Sequence, residues 1–217
     1  MNKKNSKILT KCQVSGDRNL RSIIDLGYLP PVNNFKNLGE KFQEETFFPT
    51  EILYSNKSKL VQLSCAVDKK ILFSKDYPYT SSTTKILRDN FKELSKEIKK
   101  KFNFQKKDLV LDIGSNDGNL LSNFKNDYRV LGITPEKIGK LAIKRGIPTI
   151  IDYFNSKSTK KIIKKYGKAS IITSTNVFAH IDNINFIIKD IKKCLKKNGI
   201  FISESHYLVP LLQQLQY

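Results

Sequence analysis

Residues 109–124 read LVLDIGSNDGNLLSNF. A short apolar run carrying an acid near its end gives way to small and polar residues between Gly114 and Gly118, and a second apolar run follows with a different rhythm. The first run has the length and continuity of a strand buried on both faces, and NLLSNF spaces its apolar residues as a helix does. The stretch therefore reads as a strand-to-helix turn. Gly114 lets the backbone approach a ligand without a Cβ, and Gly118 lets the helix start close to the strand.

Working outward, strands and helices alternate from Asp108 to the end of the chain. DLVLDIG is a strand, NLLSNF a helix, YRVLGI a strand and EKIGKLAIKR a helix stopped by Gly146. PTIID is the third strand, TKKIIKKY a helix stopped by Gly167, and ASIITS the fourth strand. DNINFIIKDIKKCLKK then reads as a helix opened by Asp182 and stopped by Gly199, and GIFISE as the fifth strand. This alternation implies α/β architecture: a parallel, doubly wound sheet that binds ligands at the carboxyl ends of its strands. Upstream, Ile86, Leu87, Phe91, Leu94, Ile98 and Phe102 share one face of a helix spanning Thr84 to Phe102, a stripe that reads as core. Residues 1 to about 80 are irregular, with turns at GDRN, LPP and PVNN and short strand-like pieces TEILYS and KLVQLS.

The turn is not the G-x-G-x-x-G fingerprint of a pyrophosphate site. Asp112 precedes two glycines four apart, and an acid there can accept hydrogen bonds from an ammonium or amino group. That chemistry suits S-adenosylmethionine better than a dinucleotide. The other reading is a structural turn in some other α/β fold. In such sheets an acid at the end of the second strand grips the ribose hydroxyls about 20 residues further on. Here Thr134 stands at that place in GITPE, able to make one hydrogen bond, and Glu136 follows either as a substitute or as an acid favoured by a helix N-terminus.

A chain of 217 residues can bury a full core in one domain and carry a smaller appendage. The start MNKKNSKILTKC lacks an apolar signal region and no apolar run is long enough to span a bilayer, so the reading is cytoplasmic, with no membrane partner. Three widely spaced cysteines, Cys12, Cys65 and Cys194, make no disulfide framework. The net charge of +19 invites nucleic acid as a partner, but only five of the 39 basic residues are arginine, the residue that forks onto phosphate and guanine. The lysines spread over polar helix faces, as at Lys160, Lys161, Lys164 and Lys165. Compositional bias explains them, with weak attraction to an anionic small molecule as the functional alternative.

Five stretches in order, LVQL followed by DYPYTSST, then LDIGSNDGNLL, TNVFAHIDN and SESHYL, resemble the nucleotide-sugar C-methyltransferases, which move a methyl group from S-adenosylmethionine to a carbon beside a sugar ketone. The likeness runs from Cys12 to the final residue. It implies a zinc-module-type N-terminal domain over 1–80, and over 81–217 the first five parallel strands of a Rossmann-like class I methyltransferase sheet. It implies S-adenosylmethionine held by Asp112, Gly114, Asn116, Gly118, Thr134 and Asn176, and a nucleotide sugar met by His180, Tyr77 and Tyr79. Glu204 ends the fifth strand, where a polar group would face the cleft. Without the family, His180 reads equally as a structural hydrogen-bonder and the tyrosines as packing residues. The implied chemistry is removal of an acidic proton α to a ketone, then attack of the enolate carbon on the sulfonium methyl.

Two departures shape the expectation. The family's two Cys-x-x-Cys pairs fall on Cys12-Gln-Val-Ser15 and Ser55-Asn-Lys-Ser58, so three of four zinc ligands are serine and the expected metal content is none. The chain also stops at Tyr217, just before the Tyr-His-Glu-His motif that supplies the family's general-base candidates. A truncated and inactive chain, or a cofactor-binding subunit that needs a separate C-terminal half, is therefore expected beside the enzyme reading. The fifth strand would lie at a sheet edge. An RNA methyltransferase would share the fold, but the sequence shows neither an arginine cluster nor an aromatic stacking platform.

Overall fold

The computed structural model describes residues 5–32, 35, 38, 39, 45–74 and 77–216. Asn33 and Asn34 of the PVNN turn, Asp76 of the tyrosine segment and Tyr217 lie outside them. Contacts divide the chain into two compact units, Met1–Tyr79 with Asp182–Asn185, and Thr80–Ile181 with Phe186–Tyr217. No helix among the described residues is long and apolar enough to cross a membrane.

The first unit contains β1 (Ser6–Ile8), β2 (Leu20–Leu29), β3 (Phe48–Ser55), β4 (Val61–Leu63), β5 (Cys65–Val67) and the single-turn α1 (Lys69–Leu72). Strands β2, β3 and β4 form an antiparallel sheet in that order, and β1 pairs antiparallel with β5. TEILYS and KLVQLS contribute β3 and β4, as their β-branched and apolar residues suggest. The ten-residue β2 is more regular than the sequence reading allowed. Its apolar alternation is broken by Asp25 and Gly27, which sit at a register shift where the Gly27 N–H donates to Asp25 Oδ1 at 2.9 Å. A bulge hides the strand from a period-two search.

The second unit opens with α2 (Lys85–Lys101), followed by β6 (Leu109–Ile113), α3 (Asn119–Ser122), β7 (Arg129–Thr134), α4 (Gly139–Lys144) and β8 (Thr149–Ile151). Then come α5 (Ser156–Tyr166), β9 (Ala169–Thr175), a 3-10 turn (Phe178–His180), α6 (Ile184–Cys194), β10 (Leu195–Glu204) and α7 (Leu208–Gln213). The five strands are parallel in the order β10-β9-β6-β7-β8. Every residue of β6 is buried, which is why its apolar run is continuous rather than alternating.

Two apolar layers clamp this sheet. On one face Leu109, Leu111, Ile113, Leu131, Ile133 and Ile172 meet Ile162 of α5 and Ile191 and Cys194 of α6. On the other, Val110, Val130 and Ile171 meet Phe91 and Ile98 of α2, Leu120 and Leu121 of α3, Phe124 and Ala142 of α4. Of the stripe expected on α2, Phe91 and Ile98 are core at 4% exposed each and Leu87, Leu94 and Phe102 pack against it half-buried, whereas Ile86, near the start of the helix, is 85% exposed.

Helix α5 starts where Asn155 and Ser158 form a reciprocal capping box, a stronger start than the sequence reading drew. Helix α6 differs at both ends. It begins at Ile184, two residues past Asp182, and ends at Cys194 rather than running on to Gly199. Leu195 instead pairs with Ala169 at the start of β10, and a register shift separates it from Ile200. Gly199 permits this crossing, since a Cβ there would come within 3.1 Å of the Ala169 carbonyl oxygen. Among the described residues β10 pairs with β9 alone and so lies at the sheet's edge.

Candidate functional site

The chain leaves β6 toward β7 on one side and later returns through β9 on the other, so the winding direction reverses between β6 and β9. Open α/β sheets hold ligands at the carboxyl ends of the strands flanking such a point. Here those ends carry the loop 114–118 and the segment 176–180.

The first loop is folded back by two N–H groups, from Gly114 at 2.8 Å and Ser115 at 3.2 Å, which share the Ile133 carbonyl of β7. Gly114 takes φ +75°, and a Cβ built there would lie 2.3 Å from Val177 Cγ2, so the two loops pack with no room for a side chain between them. Gly118 takes φ +79°, and a Cβ there would lie 2.7 Å from Ile147 Cδ1 and 3.0 Å from Ala142 Cβ. Its role is close packing at the start of α3, as the sequence suggested. Asn116 between them and Asn176 after β9 also adopt positive φ, 50° and 55°. Asparagine tolerates this region better than most residues, and two such positions at facing strand ends are a local concentration of strain.

Asp112 is 2% exposed and accepts a hydrogen bond from Thr173 Oγ1 of β9 at 2.7 Å. Burial pushes its carboxyl up to about 7, only partly opposed by the Thr173 bond. It thus ties β6 to β9 beneath the loop. Asp117, not singled out from the sequence, anchors the loop from the other side. Its buried carboxylate accepts Ser81 Oγ at 2.6 Å, Ser82 Oγ through a short bond, and Arg145 Nη1 at 2.7 Å. Burial raises its pKa, but these bonds outweigh it and hold the carboxyl below the usual aspartate value. Asn116 Oδ1 accepts the Ser81 N–H at 2.9 Å, and Asn119 Nδ2 donates to the Ser81 carbonyl at 3.1 Å. The Ser81-Ser82 segment is therefore stitched to the glycine loop.

At the end of β7, Thr134 is 1% exposed and its hydroxyl donates to Glu136 through a short bond. Glu136 is itself buried, and burial raises its pKa, with the Thr134 bond opposing. The α4 helix begins three residues later at Gly139, with no acid in its first turn. At the end of β10, Glu204 receives Asn176 Nδ2 at 3.2 Å and Asn90 Nδ2 of α2 at 2.9 Å, while its carbonyl takes the Asn176 N–H at 2.8 Å. The hydroxyls of Ser115, in the glycine loop, and Ser174, near the end of β9, are buried without a hydrogen-bond partner among the described residues.

His180 closes the 3-10 turn after β9, its N–H donating to the Val177 carbonyl at 2.9 Å. Desolvation and then the neighbouring His206 depress its pKa. The chain's two histidines thus sense each other past the ends of adjacent strands β9 and β10. Tyr77 and Tyr79 belong to the first unit, with ring centroids 6.4 Å apart and edge-on, and Tyr77 also packs on Phe73 at 5.6 Å. Of the residues singled out from sequence, Asp112, Gly114, Asn116, Gly118, Thr134, Asn176 and His180 all stand at the carboxyl ends of β6, β7 and β9. Missed were Asp117, Ser81, Ser82, Arg145 and Asn90. Asp117 lies 35 residues from Ser82 and 28 from Arg145, so no local pattern announces the clamp.

The strand order, the glycine loop after the first strand of the sheet and the polar groups at the next strand ends define a Rossmann-like class I methyltransferase fold. Residues 81–216 match the profile described as "Methyltransferase domain", and the chain belongs to that family. Residues 12–73 match the profile described as "Putative zinc binding domain". The chain is 26% identical over 211 residues to the C-methyltransferase NovU of Streptomyces niveus, covering 96% of this chain and 50% of that protein. It thus spans about half the length of the curated relative it matches. Among solved structures it is similar to an S-adenosylmethionine-dependent methyltransferase from Clostridium acetobutylicum, at 18% identity and TM-score 0.44, covering 62% of this chain and 56% of that one. A further similarity is to Streptomyces venezuelae DesVI, at 14% identity and TM-score 0.43, covering 54% and 52%.

The four side chains at the expected ligand places do not fit the zinc that the first unit's family description names. Cys12, Ser15, Ser55 and Ser58 offer one thiol and three hydroxyls, whereas a structural zinc site takes four thiolate, imidazole or carboxylate donors. Among the described residues no group of three or more such side chains is placed to hold a metal ion.

Proposed function

We propose that this chain binds S-adenosylmethionine at the carboxyl ends of β6, β7 and β9 and serves methyl transfer to a carbon acid, the substrate class being a keto nucleotide sugar. The observation that carries the reading is the Gly114–Gly118 loop at the switch point, fastened below by Asp112 and at its side by Asp117. The residues fit the cofactor chemically. The Glu204 carboxylate suits an ammonium, Glu136 suits a pair of ribose hydroxyls, and Asp112 supports the loop from beneath through Thr173. When bound, the cofactor supplies an electrophilic methyl group on its sulfonium.

The chain's own part is to position and to move a proton. Gly114 keeps the loop thin and Asn116 turns it, so that backbone rather than side chains faces the ligand. Asn176, held by Glu204, fixes the facing segment. His180, at the family position close to the reacting sugar, has a depressed pKa that favours the neutral imidazole, a form able to accept a proton or a hydrogen bond there. The family's general-base candidates belong to the motif expected after Tyr217. The sugar class and the substrate contacts of Tyr77 and Tyr79 rest on the sequence resemblance and on the likeness to a C-methyltransferase. The domain reading, 1–80 beside 81–217, is proposed on the same basis.

Calorimetric titration of S-adenosylhomocysteine into the folded chain tests this. A saturable one-site heat is expected, weakened at least about tenfold by Glu136→Gln, the loss of a charged hydrogen-bond acceptor. A cooperatively folded sample that gives no heat would overturn the cofactor reading.

A further inference from the structure

The first unit holds two turns that are copies of one another. In the first, Cys12-Gln-Val-Ser15-Gly16-Asp17, the Cys12 N–H donates to the Asp17 carbonyl at 2.7 Å and the Gly16 N–H to the Cys12 carbonyl at 2.9 Å. In the second, Ser55-Asn-Lys-Ser58-Lys59-Leu60, the Ser55 N–H donates to the Leu60 carbonyl and the Lys59 N–H to the Ser55 carbonyl, both at 2.9 Å. The side chains repeat as well. The Ser15 N–H reaches Cys12 Sγ and the Ser58 N–H reaches Ser55 Oγ, each at 3.4 Å. The hydroxyls of Ser15 and Ser58 accept the N–H of Asp17 and Leu60, each at 3.3 Å. Even the left-handed residue falls at the same place, Gly16 at φ 73° and Lys59 at φ 60°. A lysine held there, against its steric preference, shows how strongly the turn is imposed.

The two turns face each other through one contact, Cys12 Sγ to Ser58 Oγ at 3.1 Å. Cys12 is 1% exposed and Ser55 is fully buried. A tetrathiolate zinc site needs four sulfur ligands converging from two such turns. Here the turns are in place and three of the sulfurs are hydroxyls, which stay protonated near neutral pH and keep their hydrogens for hydrogen bonds.

We infer that the first unit closes without zinc: its two metal-type turns are each held by their own hydrogen bonds and joined through Cys12 and Ser58, and the four positions still converge so that cysteines restored there would bind the metal. The atoms a metal would have satisfied take part instead in bonds with backbone N–H groups and in the Cys12–Ser58 contact.

The test uses the full 217-residue chain in two arms. In the first, purified protein is assayed for zinc, and its amide NMR spectrum is recorded with and without a strong chelator. The expected result is substoichiometric zinc and unmoved signals for Ser15, Gly16, Ser58 and Lys59. Stoichiometric zinc, or collapse of those signals on chelation, would overturn the inference. In the second, a Ser15→Cys/Ser55→Cys/Ser58→Cys variant is titrated with cobalt(II). Tetrahedral d–d bands with thiolate charge transfer are expected in the variant and none in the parent. A folded variant that fails to develop them shows that the four positions do not converge and sinks the second half of the claim. Should the variant not fold, the first arm still decides whether the natural chain closes without metal.

Discussion

The two units solve the problem of holding shape by different means. In the second, two apolar layers enclose a parallel sheet, with Leu111, Ile172, Phe124 and Ile147 fully buried. In the first, the buried apolar residues among those described are Cys12, Phe48, Leu53 and Cys65, and the sharpest geometry belongs to hydrogen-bonded turns. A small module with so little apolar burial ordinarily leans on a metal or disulfides. Its cysteines form no disulfide, and backbone hydrogen bonds run through both of its paired turns. The comparison teaches that buried apolar layers and hydrogen-bonded turns are two separate ways of fixing a backbone.

The strongest way to break the comparison is to cut into the sheet's core. Leu111→Ala should cost about 2–5 kcal/mol of stability, because the strand is enclosed on both faces and cannot collapse onto the cavity. Denaturant titration followed by far-ultraviolet circular dichroism measures it, and a loss well under 1 kcal/mol would show that the layers carry less than claimed.

The buried acid inside that core sharpens the same point. Asp112 has its folded pKa raised to about 7, so the folded state prefers the proton. Its contribution is fully present below the unfolded aspartate value and is lost as pH rises through about 7. Stability should fall across that window by up to about 1.4 kcal/mol per pH unit, the limit for one proton. Asp112→Asn, which imitates the protonated form, should flatten the slope in parallel melts. An unchanged slope would mean that Asp112 is not its source.

Asp117 has the opposite sign. Its pKa is held below the usual value, so its contribution is present above the unfolded aspartate range and fades as pH falls below it. Asp117→Asn should cost about 1.5–3 kcal/mol at neutral pH, the scale of a lost charged hydrogen bond. It should also loosen the Ser81-Ser82 segment, read as faster amide exchange at Ser81 than in the parent chain.

The smallest expected effect lies in the first unit. Ser58→Ala removes both the Cys12 contact and the acceptor for the Leu60 N–H, and should cost about 0.5–1.5 kcal/mol. Amide exchange at Lys59 and Leu60 locates it. A loss as large as that of Leu111→Ala would erase the contrast between the two units.

What the sequence by itself determined is local. The continuous apolar run at 109–113, the glycines at 114 and 118 and the helix stops at Gly146 and Gly167 announced the strand-helix alternation, because burial pattern and positive φ are properties of a residue and its near neighbours. Those signals also picked out residues that stand together at the carboxyl ends of β6, β7 and β9. What only the tertiary structure decided is pairing at a distance: Asp117 with Ser81, Ser82 and Arg145, Thr173 with Asp112, Glu204 with Asn90, and the Cys12 turn with the Ser55 turn. Each joins segments that share no periodicity, so the partner of a buried polar group is chosen by where the packed layers bring the chain together. Helix α6 ended early for the same reason, since Leu195 gained a strand partner in Ala169 that no reading of its own neighbourhood could supply.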